Sequence, residues 1–430
     1  MTEPVVSEPM VEEQSAVGPW IPATSVAAAT WALFLGLALV MVGNGLNGSL
    51  LGVRSTAEGF GLGVTGLVMA SYFAGFLVGT LYAEYALKNV GHIRVFAALA
   101  SLASTAVLVQ ALVVEPATWA LMRFVFGGCM AGLYVVTESW LNDLATNKTR
   151  GRILSIYMMV SMGGLTIGQL MLNIEDDSGF RLFIIASVLV SVSLVPVALS
   201  ATSSPPYAVP EPMPFRRLVK VVPTGLFSSF WSGVAAGALI GMAPVYAADA
   251  GLSAGRISVF LAAPLVGALV AQFPIGWLSD QLPRRGVMLA LAIVGSLAAL
   301  VPVVVEDGSV AAILAMGVLG AAMFPLYSLT IAYTNDWLKL EQILGASATL
   351  VRVNGSGAIA GPVVAAGLMA LFGAEFLFWT LSGTLGVIAV YVFVRIVAKD
   401  PLPFERQREY VPFPARASAV AANLIPRRRR

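Results

Sequence analysis

The chain has 430 residues, of which 58% are hydrophobic and only 11% charged, and its formal net charge is +2. Soluble domains are usually about 25% charged, so this composition excludes a soluble globular protein and indicates a chain whose outer surface meets lipid. The single cysteine, Cys129, and the single histidine, His92, exclude a disulfide framework and a Cys/His zinc site, and the scattered basic residues exclude nucleic-acid binding.

Twelve apolar segments are long enough to span a bilayer. A spanning helix needs roughly 20 mostly apolar residues to cross about 30 Å of hydrocarbon. In chain order the predicted segments are 25–49, 65–86, 95–114, 118–141, 152–172 and 180–200, then 222–248, 256–277, 287–305, 309–333, 345–370 and 375–395. The sequence therefore predicts an all-α membrane protein with 12 transmembrane helices.

The segments divide the chain into two bundles with a linker and two tails. Residues 25–200 are predicted to form an N-terminal six-helix bundle, and residues 222–395 a C-terminal one. Residues 201–221, rich in Pro and Ser at their start, form a linker that is too short to be a domain. An acidic tail, 1–24, and a basic tail, 396–430, complete the predicted organisation.

Basic residues in the loops predict the orientation. If the N-terminus lies in the cytoplasm, the loops and tails on that side carry 20 Lys and Arg residues and the opposite side carries 3. Cytoplasmic loops of membrane proteins are enriched in Lys and Arg. We therefore expect both termini to be cytoplasmic, in an inner-membrane protein.

The two halves of the chain also resemble each other. Four residues in and just after the fourth segment recur 193 positions later in and just after the tenth, and Gly163 of the fifth recurs 194 positions later as Gly357 in the eleventh. A steady spacing in one chain direction is expected of a duplicated six-helix bundle. The four recurring pairs are Gly127 and Gly320, Tyr134 and Tyr327, Asn142 and Asn335, and Asp143 and Asp336.

The loop after the eighth segment carries a recognisable motif. Residues 276–285 read Gly-Trp-Leu-Ser-Asp-Gln-Leu-Pro-Arg-Arg, which resembles the G-x-L-a-D-r-x-G-R-R signature of the major facilitator superfamily. The equivalent first-half loop, 84–94, has Lys88 where that family has aspartate. Short motifs in segments 2 to 5 are similar to a bacterial subfamily with few assigned substrates. The resemblance implies two six-helix bundles around a cavity at the membrane midplane.

The resemblance also implies roles for the loop residues. In the family the loop aspartate locks the cytoplasmic side by docking on a helix N-terminus in the other half, where the helix dipole favours it. Here Asp280 would dock near Arg150 and Arg152, with Arg284 beside it. The alternative is that Asp280, Arg284 and Arg285 form a solvated turn that only sets topology. His92 is expected at the surface.

Three more charged residues lie within predicted helices. Arg123 resembles the family's helix-4 arginine, which implies proton coupling or interhelical hydrogen bonding; alternatively its side chain snorkels to the outer interface. Glu138 is either a gate partner of Arg150, Arg152 or Arg94, or a proton carrier. Arg352 either joins a gate ion pair or faces an anionic group of the substrate.

Uncharged polar and aromatic residues are the candidates for substrate contact. In the family, helices 1, 4, 7 and 10 line the cavity, which favours Asn44, Tyr134, Trp231 and Tyr327, and Asn47 and Gln272 are further buried-polar candidates. Each could instead form a hydrogen bond or packing contact between helices.

These features predict secondary active or facilitative transport of a small organic solute across the inner membrane by alternating access. We expect a monomer that needs no cofactor and no metal, with proton coupling left open and the substrate unidentified. Short loops without paired carboxylates or His clusters argue against an enzyme. The competing hypothesis is a non-transporting sensor or assembly partner built on the transporter fold.

Overall fold

A computed structural model describes residues 23–145, 149–174, 180–199 and 213–398, together with Gln407 and Tyr410. In these ranges the regular structure is helical, and twelve helices are long and apolar enough to cross a membrane. The prediction of a multi-pass all-α membrane protein is confirmed. The predicted tails fall almost wholly outside the described residues, as do residues 201–212 of the linker.

The twelve spanning helices extend the predicted segments by a few residues at most ends. The first half contains α1 Ala23–Ala57, α2 Leu62–Val90, α3 His92–Leu112, α4 Pro116–Leu144, α5 Arg150–Leu170 with a 3₁₀ turn Met171–Ile174, and α6 Phe180–Val192 with a continuation Leu194–Ala198. The second half contains α7 Pro223–Asp249, α8 Ala254–Gln281, α9 Arg284–Val304, α10 Val310–Asp336, α11 Leu340–Phe372 and α12 Phe376–Ala398. A short linker helix, Phe215–Val221, precedes α7.

Turn chemistry sets several of these helix ends. Gly91 has φ of 88° between α2 and α3, and Gly373 has φ of 109° after α11, a backbone region that favours glycine. The Ser253 and Ser309 side chains accept hydrogen bonds from the first-turn amides of α8 and α10. Such caps satisfy backbone donors that the helix itself leaves open.

Glycines bring helix backbones into close contact at matching places in the two halves. At four of them a Cβ atom would overlap a carbonyl oxygen of the neighbouring helix, so only glycine fits without a shift. The pairs are Gly75 on Phe124 and Gly127 on Tyr72 between α2 and α4, and Gly267 on Gly317 and Gly320 on Pro264 between α8 and α10. Matched residues lie 192 or 193 positions apart. We call these contacts the glycine crossings.

The halves contact each other through α2 with α11, α1 with α7, and α5 with α8. The basic face is the end of the molecule with the α2–α3, α4–α5 and α8–α9 turns, and the far face is the end with the α1–α2 and α7–α8 turns. Close contacts between the halves lie toward the far face, where Gly52 meets Pro244 and Gly66 meets Ala366. A cavity lies between the halves on the basic-face side of these contacts.

Candidate functional site

The cavity between the halves has a polar lobe toward the far face. Its empty volume is about 690 Å³, including the part that opens at its mouth. The N-terminal half supplies the polar wall and the C-terminal half an apolar one. The lining residues are Asn44, Gly45, Gly48, Ser49, Tyr72, Arg123, Tyr134, Ser161, Met162, Leu165, Gln169, Ile240, Leu265 and Phe324.

A second, apolar lobe continues from the first toward the basic face. Tyr72, Ile240 and Phe324 line both lobes, so these three side chains form the boundary between them. The remaining lining residues of the apolar lobe are Phe73, Phe76, Leu77, Thr80, Ala236, Tyr327, Val351, Asn354, Gly355 and Ala358. The two lobes therefore adjoin at these three side chains, with the polar lobe toward the far face.

Arg123 is the charged side chain of the cavity lining. It lies seven residues after Pro116, which starts α4 at the far face, or about 10 Å along the helix. Its side chain is 3% exposed. The guanidinium carbon is 4.9 Å from the centroid of the Tyr72 ring, and Nη2 is 3.6 Å from Met69 Sδ. This inward placement contradicts the alternative in which Arg123 snorkels to the outer interface.

Polar groups near Arg123 are held by α1, α4 and α5. The Ser49 hydroxyl donates a hydrogen bond to the side-chain oxygen of Gln169, and Tyr134 Oη lies 2.9 Å from Met41 Sδ. Asn44 is 3% exposed, and its Nδ2 has no hydrogen-bond partner among the described residues. The polar lobe thus holds a buried amide donor available to a bound molecule.

The predicted substrate residues divide into two groups. Asn44, Tyr134 and Tyr327 line the cavity, the first two in the polar lobe and the third in the apolar lobe. Asn47 is fully buried in α1 outside both lobes, Trp231 packs against Phe227 and Phe230, and Gln272 donates to Ser328 and Tyr410. Substrate contact by these six residues stays a prediction.

Glu138 lies well apart from Arg123 on α4. It is fully buried and accepts a 2.5 Å hydrogen bond from Tyr157 of α5. Of its predicted gate partners, Arg94 and Arg152 are exposed and Arg150 is half-buried at the start of α5. Both the gate pairing and the proton-carrier role stay predictions.

The α8–α9 loop is buried, so the solvated-turn alternative is wrong for its arginines. Arg284 is 2% and Arg285 5% exposed. Arg284 Nη1 lies 2.9 Å from the Asp336 carboxylate, and its Nη2 lies 3.4 Å from Asp280. Arg285 donates to Tyr333 Oη at 2.9 and 3.0 Å. The loop therefore joins α8, α9 and α10 at the basic face. Docking of Asp280 on α5 stays a prediction.

His92 occupies the matching place in the first half, and the prediction that it is a surface residue is wrong. It is 1% exposed, its Nε2 lies 3.0 Å from Ser139 Oγ, and its ring makes an edge contact with Trp140. Trp140 and Tyr333 are 193 positions apart. Both halves therefore pack the start of their third helix against an aromatic residue near the end of their fourth.

Arg352 lies at the basic face on α11. It is exposed and lines a shallow pocket with Thr349, Val353 and Ser356, next to residues 213–215 before the linker helix. This pocket is separate from the two lobes. Both roles expected of Arg352, in a gate ion pair or facing an anionic group of the substrate, stay predictions.

The sequence did not single out the boundary residues Tyr72, Ile240 and Phe324. One signal was available for Tyr72, because a buried arginine needs a partner and an aromatic face on the adjoining helix can provide one. Ile240 and Phe324 lie in helices that are apolar on all sides, so no pattern separates their cavity-facing residues from their lipid-facing ones.

Comparison with known proteins identifies the family. Residues 33–225 and 225–429 match the family model described as the Major Facilitator Superfamily. The chain belongs to this superfamily. As a member it is 29% identical over 345 residues to an uncharacterized MFS-type transporter of Yersinia pestis, covering 78% of this chain and 86% of that one. It is 28% identical over 318 residues to the uncharacterized MFS-type transporter YcaD of Escherichia fergusonii, with coverage of 73% and 81%.

Solved structures show the same fold. The major facilitator chain superposes on a mutant form of the nucleoside transporter NupG with a TM-score of 0.73 at 12% identity, covering 85% of this chain and 99% of that one. A bacterial homolog of the lysosomal transporter Spinster gives a TM-score of 0.68 at 16% identity, with coverage of 90% and 98%. The prediction of two six-helix bundles in the major facilitator fold is confirmed, and family and relatives indicate a transporter.

Proposed function

We propose that the protein moves a small organic solute across the inner membrane by alternating access, as a secondary active or facilitative carrier. The observation that carries this proposal is the cavity between the halves, which has a polar inner lobe and is bounded toward the far face by contacts between α1 and α7 and between α2 and α11. Rocking of one half against the other would break these contacts and expose the polar lobe to the far face.

The direction of the molecule in the membrane is part of the proposal. The basic face would lie in the cytoplasm with both termini, because its loops hold most of the basic residues. One chain supplies both walls of the cavity, so a monomer suffices for transport. The chain would then be organised as a bundle at 25–200, a linker at 201–221 and a bundle at 222–395, flanked by tails at 1–24 and 396–430.

Cysteine labelling from each side of the membrane tests the proposal. Gly48 lines the polar lobe and Gly355 the apolar lobe, and a Cβ atom at either position meets nothing closer than 3.4 Å. Each is replaced by cysteine in a Cys129→Ala background, and reactivity with membrane-impermeant methanethiosulfonates is measured in right-side-out and inverted vesicles. Gly383→Cys, on the exposed surface of α12, is the lipid-facing control.

We expect both cavity cysteines to react from both faces, and the control to react from neither. Reaction of the cavity cysteines from one face only, or from neither, would contradict alternating access and favour the non-transporting sensor. A screen of small organic solutes for uptake into proteoliposomes, with and without a pH gradient, then separates a proton-coupled carrier from a facilitative one. Stimulation by the gradient would indicate proton coupling.

A further inference from the structure

We propose that the C-terminal tail is an autoinhibitory wedge, which binds through Tyr410 to the side of α8 that must approach α5 when the basic face closes. This inference rests on the proposed function, because it concerns what slows the exchange between the two open states. It depends on the side of α8 on which Tyr410 lies, on the contacts that hold Tyr410 there, and on where the two halves meet.

Tyr410 lies on the side of α8 that faces the cavity. Leu265 of α8 lines the polar lobe. Gln272 and Gly276 follow it by about two and three helical turns, so all three residues share one face of the helix. The Tyr410 hydroxyl contacts Gln272, and its ring lies against Gly276. Tyr410 therefore covers the inner side of α8 between the polar lobe and the basic face.

The ring and the backbone of Tyr410 are both held. Gln272 Nε2 donates to Tyr410 Oη at 2.6 Å and to Ser328 Oγ of α10 at 3.1 Å. Asp280, at the end of α8, accepts a 2.7 Å hydrogen bond from the Tyr410 amide. The side chain is 9% exposed. Departure of the tail from α8 would therefore break several buried contacts together.

α5 and α8 meet closely at their opposite, far-face end. A Cβ atom on Gly255, at the start of α8, would lie 2.9 Å from Oδ1 of Asn173, in the 3₁₀ turn after α5. Farther along, Leu165 of α5 and Leu265 of α8 line the polar lobe from its two walls. Beyond that lobe, toward the basic face, Tyr410 lies on the side of α8 that continues from Leu265.

Closure of the basic face would need the place that Tyr410 occupies. In alternating access the halves rock against each other, so the far-face contacts separate while the basic-face ends of α5 and α8 approach. The buried ring of Tyr410 lies in the way of this approach. The tail therefore has to leave α8 before the basic face closes. A group that binds one of two states shifts the equilibrium toward it, so the tail stabilises the described state, in which the far face is closed.

Displacing the tail tests the proposal. A Cβ atom on Gly276 would lie 2.4 Å from the Tyr410 ring, so Gly276→Val pushes the ring off α8, whereas Tyr410→Ala removes it. Gly286→Val, where nothing lies within 4 Å of a Cβ atom, is the matched control. The far-face labelling rate of Gly48→Cys is measured in the Cys129→Ala background. We expect at least about a fivefold increase in both displaced-tail variants, the effect of one net hydrogen bond on an equilibrium, and none in the control.

Fixing the tail provides the opposite test. Gly276→Cys and Tyr410→Cys place two thiols where the ring now touches α8, and oxidation joins them. We expect the disulfide to lower far-face labelling of Gly48→Cys at least about tenfold, since the tethered tail disfavours the competing state. Reduction should raise labelling above the parent rate, because the reduced pair lacks the ring. Mass spectrometry of the peptide that contains residue 48 distinguishes this cysteine from the pair.

The outcomes separate this inference from the proposed function. If Gly48→Cys reacts from both faces, but neither displacing nor fixing the tail changes its far-face rate, the wedge is overturned and transport stands. The wedge is also overturned if displacement raises only the basic-face rate, or if Gly383→Cys on the lipid-facing surface becomes reactive in the same variants, which would indicate loosened packing. If Gly48→Cys reacts from one face only, or from neither, the proposed function fails and the wedge fails with it.

Discussion

The carboxylate of Asp280 accepts a 2.7 Å hydrogen bond from the backbone amide of Tyr410, which lies 130 residues further along the chain. The phenol of Tyr410 accepts a 2.6 Å hydrogen bond from Gln272, and its ring lies against Gly276. Three residues on one face of α8 therefore hold a single residue of the C-terminal tail. The aspartate of the motif binds the tail of its own half.

Tyr410→Ala is expected to destabilise the protein. The substitution removes a buried ring and its hydrogen bond with Gln272, which together should cost about 2 to 4 kcal/mol. Thermal unfolding of the detergent-purified protein measures the loss, and Tyr410→Phe should show a smaller one. Tyr85, which is 72% exposed, is the matched control. A fall in melting temperature no larger than that of Tyr85→Ala would mean that the tail is not held by α8.

Two adjacent glycines of α4 should differ sharply in their tolerance of alanine. A Cβ atom on Gly127 would overlap the Tyr72 carbonyl oxygen, whereas one on Gly128 would lie 3.4 Å from its nearest neighbour, an ordinary contact. Gly127→Ala should therefore force α2 and α4 apart at a cost of about 1 to 3 kcal/mol. Gly128→Ala should leave the melting temperature nearly unchanged. Equal effects would contradict the helix register at this crossing.

The buried pair of Arg284 and Asp336 should be sensitive to the loss of either member. Both side chains are 2% exposed, so Asp336→Asn removes the nearer of the two carboxylates that pair with the buried Arg284. Asp280, which is 3.4 Å away and partly exposed, remains as a weaker partner, and we expect a cost of up to about 3 to 5 kcal/mol. The exposed pair of Arg54 and Glu58 is the control, and Glu58→Gln should cost less than about 1 kcal/mol. Thermal unfolding measures the stability of both variants. Similar falls in melting temperature for Asp336→Asn and Glu58→Gln would argue against burial of the α8–α9 loop.

A bulky residue at Gly66 should oppose closure of the far face. A Cβ atom there would overlap Ala366 of α11, so Gly66→Leu clashes only when the two halves are in contact. We expect labelling of Gly48→Cys from the far face to increase several-fold. Gly63→Leu, one turn earlier on α2 where nothing lies within 4 Å, should not change labelling. An unchanged rate in Gly66→Leu would show that this contact does not close the cavity.

Much of the fold could be predicted because it depends on composition and repetition. Twelve apolar segments of membrane-spanning length, and a constant spacing between matching residues of the two halves, predict a duplicated helical bundle. This prediction does not require knowledge of individual contacts. The glycine crossings follow the same offset, since Gly127 and Gly320 meet equivalent carbonyl groups.

The site was harder to predict, because the face of an apolar helix cannot be deduced from an apolar sequence. Ile240 and Phe324 line the cavity only because of how α7 and α10 are rotated. Arg284 and Arg285 follow the charge rule for loops, yet Asp336 and Tyr333 bury them through contacts between residues about 50 positions apart. Tyr410 lies in a tail whose composition gives no sign of a binding partner.

The glycine crossings have a consequence for how the gene could be divided. Each crossing is completed inside one half, within residues 23–199 or within residues 213–398. If the chain were expressed as two polypeptides, divided between these ranges, each polypeptide would keep both of its own glycine crossings. Co-expressed fragments of this kind should reassemble into a working carrier, whereas a break inside α3 would sever α2 from α4 and divide a crossing between two products.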